Sequence, residues 1–168
     1  MQATGPTRFA HCDNSEAGAL TVLKQTMPDF EKRLNNRWAI MNTWRGLRPV
    51  TREPLALLDA RTVDDSEMVG VLAVFPKKGG AGAFDGAYDA GEGFETAQIR
   101  NDNDTHKWYY ASNLMPDEAL VFKQYDSKKD GRARQVPHSA FESELDSGPP
   151  RQSIEVRSLL FWEDESAE

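Results

Sequence analysis

Cysteine is nearly missing from this chain: of 168 residues only Cys12 is a cysteine. A single thiol rules out a disulfide within the chain and any zinc site built on paired CxxC motifs. It fits a reducing, intracellular setting, so a cytoplasmic location is expected. Histidine is scarce as well, at three residues. Long apolar runs are absent: nothing approaches the roughly 20 residues of a membrane-spanning helix. The N-terminal MQATGPTRFA lacks the apolar segment of a secretory signal, and no membrane partner is expected. Positive charge is not in surplus either. The formal net charge is −7, which argues against nucleic acid as a partner, because phosphate binding needs a basic face.

What is present is globular in character. Hydrophobic residues make up 39% and charged residues 28% of the chain, enough to bury a core. The length fits one domain over residues 1–168. Residues 7–11 (TRFAH) read as a short strand. Residues 15–35 read as helical, with Ser15 as a cap and Pro28 splitting the region into two short helices. RWAIMNTWR (37–45), PLALLDAR (54–61), HKWYYASNL (106–114), EALVFKQYD (118–126) and SIEVRSLLFWE (153–163) read as strands. EMVGVLAVFP reads as a strand or a short helix. KKGGAGAFDGAYDAGE (77–92) reads as a flexible insertion, DSKKDGRAR (126–134) as a turn with Asp130-Gly131 at its tip, and residues 164–168 as a frayed tail. Many strands with helix confined to the start predict a mainly β, antiparallel sandwich or barrel.

Candidate chemistry begins at His11-Cys12-Asp13. Residues two apart on an extended segment point to one side, so His11 and Asp13 can act as a ligand pair, with Cys12 turned away. If His138 folds back beside them, two imidazoles and one carboxylate meet. That is the facial triad of non-haem iron(II) oxygenases, which leaves coordination positions open for an oxidant and a co-substrate. Arg151 and Ser153 follow on the last strand. In oxygenases using 2-oxoglutarate, an arginine there grips the far carboxylate, because a guanidinium matches a carboxylate in two-pronged fashion. Arg157 shares the strand parity and is a rival for that role. HxD and RxS are each common by chance; their order with a distal histidine between them carries the reading. Trp44, Arg45 and Asn42 are candidate pocket residues. Asp59 with Arg61 reads as a structural ion pair, His106 as structural or exposed, and one of Tyr109 and Tyr110 as core.

The segments NRWAIMNTWRGLRPVTREPLALLDARTV, HKWYYASNLMPDEALVFKQYDSKKDGRARQVPHSAFE and PPRQSIEVRSLLFWE resemble a fungal family of hydroxylase/desaturases, related to the gibberellin desaturase and the cephamycin methoxylation protein. The resemblance runs over nearly all of residues 7–163. It implies a double-stranded β-helix (jelly roll, cupin-like), mainly β, with one or two short helices after the first strand. It implies an Fe(II)- and 2-oxoglutarate-dependent oxygenase that hydroxylates or desaturates a small organic molecule in secondary metabolism. His11, Asp13 and His138 fall on the iron ligands, and Arg151 and Ser153 on the co-substrate pair. Family members carry a further segment ahead of this region, so an N-terminally truncated, incomplete jelly roll is expected. An inactive family member and a non-enzymatic ligand-binding jelly roll are the alternatives. Neither the substrate's scaffold nor the oligomeric state is legible in these residues.

Overall fold

Two local signals set the start of the chain. Ser15 accepts a hydrogen bond from the Gly18 main-chain N–H at 3.0 Å and caps helix α1 (Glu16–Thr26). Lys24 stands in its last turn, where the helix dipole favours a cation. Pro28 lacks the N–H that a helix interior needs. α1 therefore stops ahead of it, and a one-turn α2 (Phe30–Arg33) follows. The computed structural model describes residues 5–74, 93–100 and 104–167, so the expected insertion at 77–92 lies outside the described residues. Among the described residues, no helix is long and apolar enough to cross a membrane.

The strands are β1 (His11–Cys12), β2 (Asn36–Gly46), β3 (Leu55–Leu58), β4 (Met68–Val74), β5 (Gly93–Ile99), β6 (Trp108–Tyr110), β7 (Leu120–Asp126), β8 (His138–Ala140) and β9 (Ser153–Ser166). They form a six-stranded sheet in the order β4-β5-β1-β8-β3-β6 and a three-stranded sheet in the order β7-β2-β9. The pairings are antiparallel. This is a jelly-roll-like arrangement, as expected, with two helices after the first strand.

Alternation along β2 buries Trp38, Ile40, Asn42 and Trp44. Trp38 and Ile40 pack with Ala19 and Leu23 of α1 and with Tyr125 of β7. Trp44 joins Val50, Leu55, Leu114 and Phe122 in a second cluster. Each fully buried large apolar side chain here is worth about 1.5–3 kcal/mol, so these clusters dominate the fold's stabilisation. Helix α1 lies tight on β5. A Cβ added at Gly18 would stand 2.0 Å from the Glu95 carbonyl oxygen, so no larger residue fits there.

Several elements differ from the sequence reading. Of TRFAH, only His11 is in a strand. β5 was not anticipated: GFETAQI is polar at alternate positions and pairs along β4 and β1. HKWYYASNL shrinks to Trp108–Tyr110, whose residues are all exposed. The expected inward tyrosine is thus corrected: among the described residues β6 is an edge strand bonded to β3, and both Tyr109 and Tyr110 are exposed. The tail is not frayed before residue 167. β9 runs on to Ser166, which pairs with Asn36, and Lys128 Nζ donates to the Ser166 carbonyl.

At the far end of the small sheet, Asp126 has no exposed side chain. Arg37 donates to it through Nε at 3.1 Å and Nη2 at 2.8 Å, and Lys123 Nζ at 2.7 Å. Burial alone would raise its pKa, but the Arg37 and Lys123 bonds outweigh this and hold it well below the usual carboxylate range. Removing one partner of a buried pair strands the other. Asp126→Asn is therefore expected to lower the unfolding free energy by about 3 kcal/mol at pH 7. A carboxylate with a depressed folded pKa stabilises above its unfolded value of about 3.9 and loses that contribution as pH falls. Urea unfolding of both proteins across pH should show the difference constant near neutrality and shrinking below about pH 4.

Candidate metal centre

β1 is two residues long, yet it lies between β5 and β8. His11 pairs directly opposite His138 across the β1–β8 ladder. Opposed residues of antiparallel strands project to the same face, and the two imidazole centroids are 4.5 Å apart. Asp13, just past the strand, brings Oδ1 to 3.5 Å from His11 Nε2 and 3.7 Å from His138 Nε2. One ligand atom from each residue lies within 4.8 Å of the others. Ligands held about 2.1 Å from a single ion stand about 3–4 Å apart, so this set fits one metal.

The orientation of each donor is set by its other atoms. His11 Nδ1 is 2.8 Å from the Phe9 carbonyl, and His138 Nδ1 is 3.3 Å from that of Val136. A carbonyl only accepts, so the proton sits on Nδ1 and the Nε2 lone pair is left facing inward. Burial, with Asp13 pulling the other way, lowers the His138 pKa to about 4, so it is a neutral donor near pH 7. For His11, burial is more than offset by Asp13 and the Phe9 carbonyl, and its pKa is raised. Burial likewise opposes ionisation of Asp13. The neighbouring His11 and the charge of Arg157 outweigh it and keep Asp13 ionised well below the usual range.

Asp13 uses its two oxygens differently. Oδ2 accepts from Asn42 Nδ2 at 2.9 Å and lies 2.9 Å from Arg157 Nη2. Its main-chain N–H donates to Gln124 Oε1 at 2.8 Å. Asn42 and Gln124 are fully buried, and among the described residues each keeps one amide end (Asn42 Oδ1, Gln124 Nε2) with no hydrogen-bond partner. Leaving a buried polar group unpaired costs about 1–3 kcal/mol.

The triad opens into a cavity of about 470 Å³, within the range of small-molecule sites. Phe9, Val22, Leu55 and Phe94 supply apolar walls, and Trp44, Arg151, Glu155 and Arg157 line it as well. Arg151 sits 5.0 Å over the Trp44 ring and donates through Nη1 to the Glu53 carbonyl at 2.6 Å. Burial lowers its pKa, though a guanidinium stays charged regardless. Glu53 has φ of +49°, a left-handed conformation uncommon outside glycine. It is held there through its main chain by Arg151 and by Asp146, and through its side chain by Arg8.

The structure thus brings His11, Asp13, His138 and Arg151 to one cavity. Ser153 opens β9 opposite Gly46 and is not among the cavity's lining residues. Arg157 also lines the cavity and there pairs with Asp13 and Glu155. Arg45, considered for the pocket, is exposed and donates to the Pro116 carbonyl. Asp59 and Arg61 pair at 2.7 Å, and His106 lies 3.2 Å from Glu67, both away from the cavity. Cys12 is fully buried and points away from it, with burial raising its pKa. Gln124, Glu155 and Glu53 were missed. For Gln124 the available signal was a lone amide inside the apolar run LVFKQYD. For Glu155 it was shared parity with Arg151.

A family profile described as an oxidoreductase/YMDC permease-like domain matches residues 1–161. The hydroxylase/desaturase efuI of Hormonema carpetanum is 44% identical over 164 residues, covering 97% of this chain and 54% of that protein. The gibberellin cluster GA4 desaturase of Gibberella fujikuroi is 34% identical over 131 residues, covering 75% of this chain and 35% of that one. Among solved structures, the iron and alpha-ketoglutarate-dependent endoperoxidase NvfI superposes with a TM-score of 0.77 at 30% identity, over 93% of this chain and 54% of that chain. The chain spans about half the length of efuI and NvfI. With its profile match, its relatives and its fold in agreement, the chain belongs to this oxidoreductase family, alongside the fungal hydroxylase/desaturases.

Proposed function

We propose that the chain carries the catalytic centre of an iron(II)- and 2-oxoglutarate-dependent oxygenase that hydroxylates or desaturates a small, largely apolar molecule. The observation behind this reading is the convergence of His11, Asp13 and His138 on one point, with Arg151 lining the same cavity. In this reading His11 Nε2, His138 Nε2 and Asp13 Oδ1 hold the iron. Three protein donors leave open positions for a co-substrate and oxygen, which a fully protein-ligated site would not. With iron(II), 2-oxoglutarate and O2 bound, the chemistry supplied is oxidation of a C–H bond: 2-oxoglutarate loses CO2, one oxygen atom ends in succinate, and the other ends in a hydroxyl group or, for desaturation, in water.

The chain's own residues bind, orient and exclude water. The Phe9 and Val136 carbonyls fix both imidazole tautomers. Arg151 is held against Trp44 and the Glu53 carbonyl through Nη1, which leaves further N–H donors of its fork to grip a carboxylate. The apolar walls receive a hydrocarbon scaffold and keep bulk water from the metal face. NvfI is described as an iron and alpha-ketoglutarate-dependent endoperoxidase, which agrees with the co-substrate assigned here.

Anaerobic titration with iron(II) and 2-oxoglutarate, followed by the visible charge-transfer absorption of the chelate, tests the assignment. Asp13→Ala should abolish the absorption and stoichiometric iron binding; retention of both would show that the triad is misassigned. Arg151→Ala should keep iron binding and weaken 2-oxoglutarate about 10- to 100-fold, the worth of one charge-assisted carboxylate contact. An unchanged 2-oxoglutarate affinity would remove Arg151 from the co-substrate site.

A further inference from the structure

We infer that Asn42, Gln124 and Arg157 form a positioning clamp on Asp13 that reserves its Oδ1 for the metal, and that the fold retains two incompletely bonded amides for that purpose. The inference rests on the metal site proposed above. Each strand of the three-stranded sheet contributes one member: Asn42 from β2, Gln124 from β7 and Arg157 from β9. Asn42 and Arg157 are direct partners in the β2–β9 register, so they reach the same oxygen side by side. Asp13 itself leaves the other sheet, just past β1. The small sheet therefore sets the direction of a carboxylate that the large sheet delivers.

The hydrogen bonds divide the carboxylate. Oδ2 is engaged by an amide and a guanidinium, which leaves Oδ1 as the oxygen directed at both imidazoles. A carboxylate tied at one oxygen offers a metal one donor rather than two, which keeps a further coordination position open. Gln124 sets the main chain below it through the Asp13 N–H.

A purely structural pair of buried amides would be expected to bond at both ends, as buried polar groups do. Among the described residues, Asn42 and Gln124 instead engage Asp13 with one end each, Asn42 reaching Glu155 as well, and leave Oδ1 and Nε2 without a partner. Ile40 and Trp44 flank Asn42 at the same strand parity, and Phe122 stands opposite it in the β2–β7 register. Each unpaired amide end costs stability. Such a local conflict is typical of positions kept for function. Asn42→Leu and Gln124→Met are both neutral substitutions, so they leave the charge balance at the metal unchanged.

The test uses Mn(II), an air-stable stand-in for iron(II), titrated into the full chain with the free ion followed by electron paramagnetic resonance. It also uses the thermal midpoint of the metal-free protein. Asn42→Leu and Gln124→Met should each weaken Mn(II) about 10- to 100-fold, as supporting contacts to metal ligands do, while the metal-free midpoint stays level, because the lost bond to Asp13 and the removed unpaired amide end offset each other. Arg157→Lys, near the solvent side, keeps the charge but loses the fork and should weaken Mn(II) by a smaller factor. Affinities within twofold of the parent in all three variants would overturn the clamp. So would metal-free midpoints that fall together with affinity, or amide variants that fail to fold, because either marks a plain structural role. A parent protein that binds no Mn(II) would instead sink the metal site, and the clamp with it. Binding lost in Asp13→Ala but unchanged in Asn42→Leu would sink the clamp alone.

Discussion

The backbone pairing of His11 with His138 is the constraint on which the site depends. β1 is a strand of two residues, too short to be stable by itself, and it exists because β5 and β8 bond it from both sides. Antiparallel pairing puts opposed side chains on one face at a nearly fixed separation. The two imidazoles therefore meet without any contact between the rings having to hold them. A one-residue slip would turn His11 to the opposite face and bring Cys12 to the cavity. β5 guards against that slip, since Cys12 packs fully buried opposite Ala97.

The carboxylate obeys a different logic. Asp13 lies beyond the ladder, so backbone pairing does not fix it. Its direction comes from side chains across the interior, and its charge persists because His11 and Arg157 outweigh the burial that opposes it. Two sheets thus share the work: one sets the imidazoles through main-chain bonds, and the other sets the carboxylate through Asn42, Gln124 and Arg157. Arg151 is placed in yet another way. A residue in left-handed backbone, Glu53, turns its carbonyl towards the guanidinium, while Trp44 supports the flat face. Strain of this kind persists only where surrounding bonds over-determine it, and it gathers at functional positions.

Much of the site was legible because it uses short spacings and rare residue types. With three histidines in the chain, the choice of ligands was narrow. HxD on an extended segment, a later histidine and an arginine on the last strand led to four residues that do share one cavity. For Arg157 and Ser153 the sequence offered only strand parity. Strand parity says which face a side chain takes, not which partner it meets, and in the structure Arg157 meets Asp13 and Glu155. The strands β2, β7 and β9 were legible from dense β-branched and aromatic residues. β6 was legible within the longer run HKWYYASNL, but β5 was not: Glu95, Thr96 and Gln98 leave it without a clear apolar alternation.

By itself, the sequence determined the inventory: a β-rich chain with a capped early helix broken at Pro28, too little cysteine for disulfides, and a handful of metal-competent side chains at fixed local spacing. These follow from backbone sterics, capping and hydrophobic period, which act over a few residues. Only the tertiary structure decided that β1 pairs with β8, which oxygen of Asp13 faces the imidazoles, and that Arg157 meets Asp13 while Arg151 meets the Glu53 carbonyl. Those outcomes depend on contacts between residues more than a hundred positions apart, such as Asp13 with Gln124 and Arg157. No local rule reaches across that distance; the closing of two sheets over one cavity does.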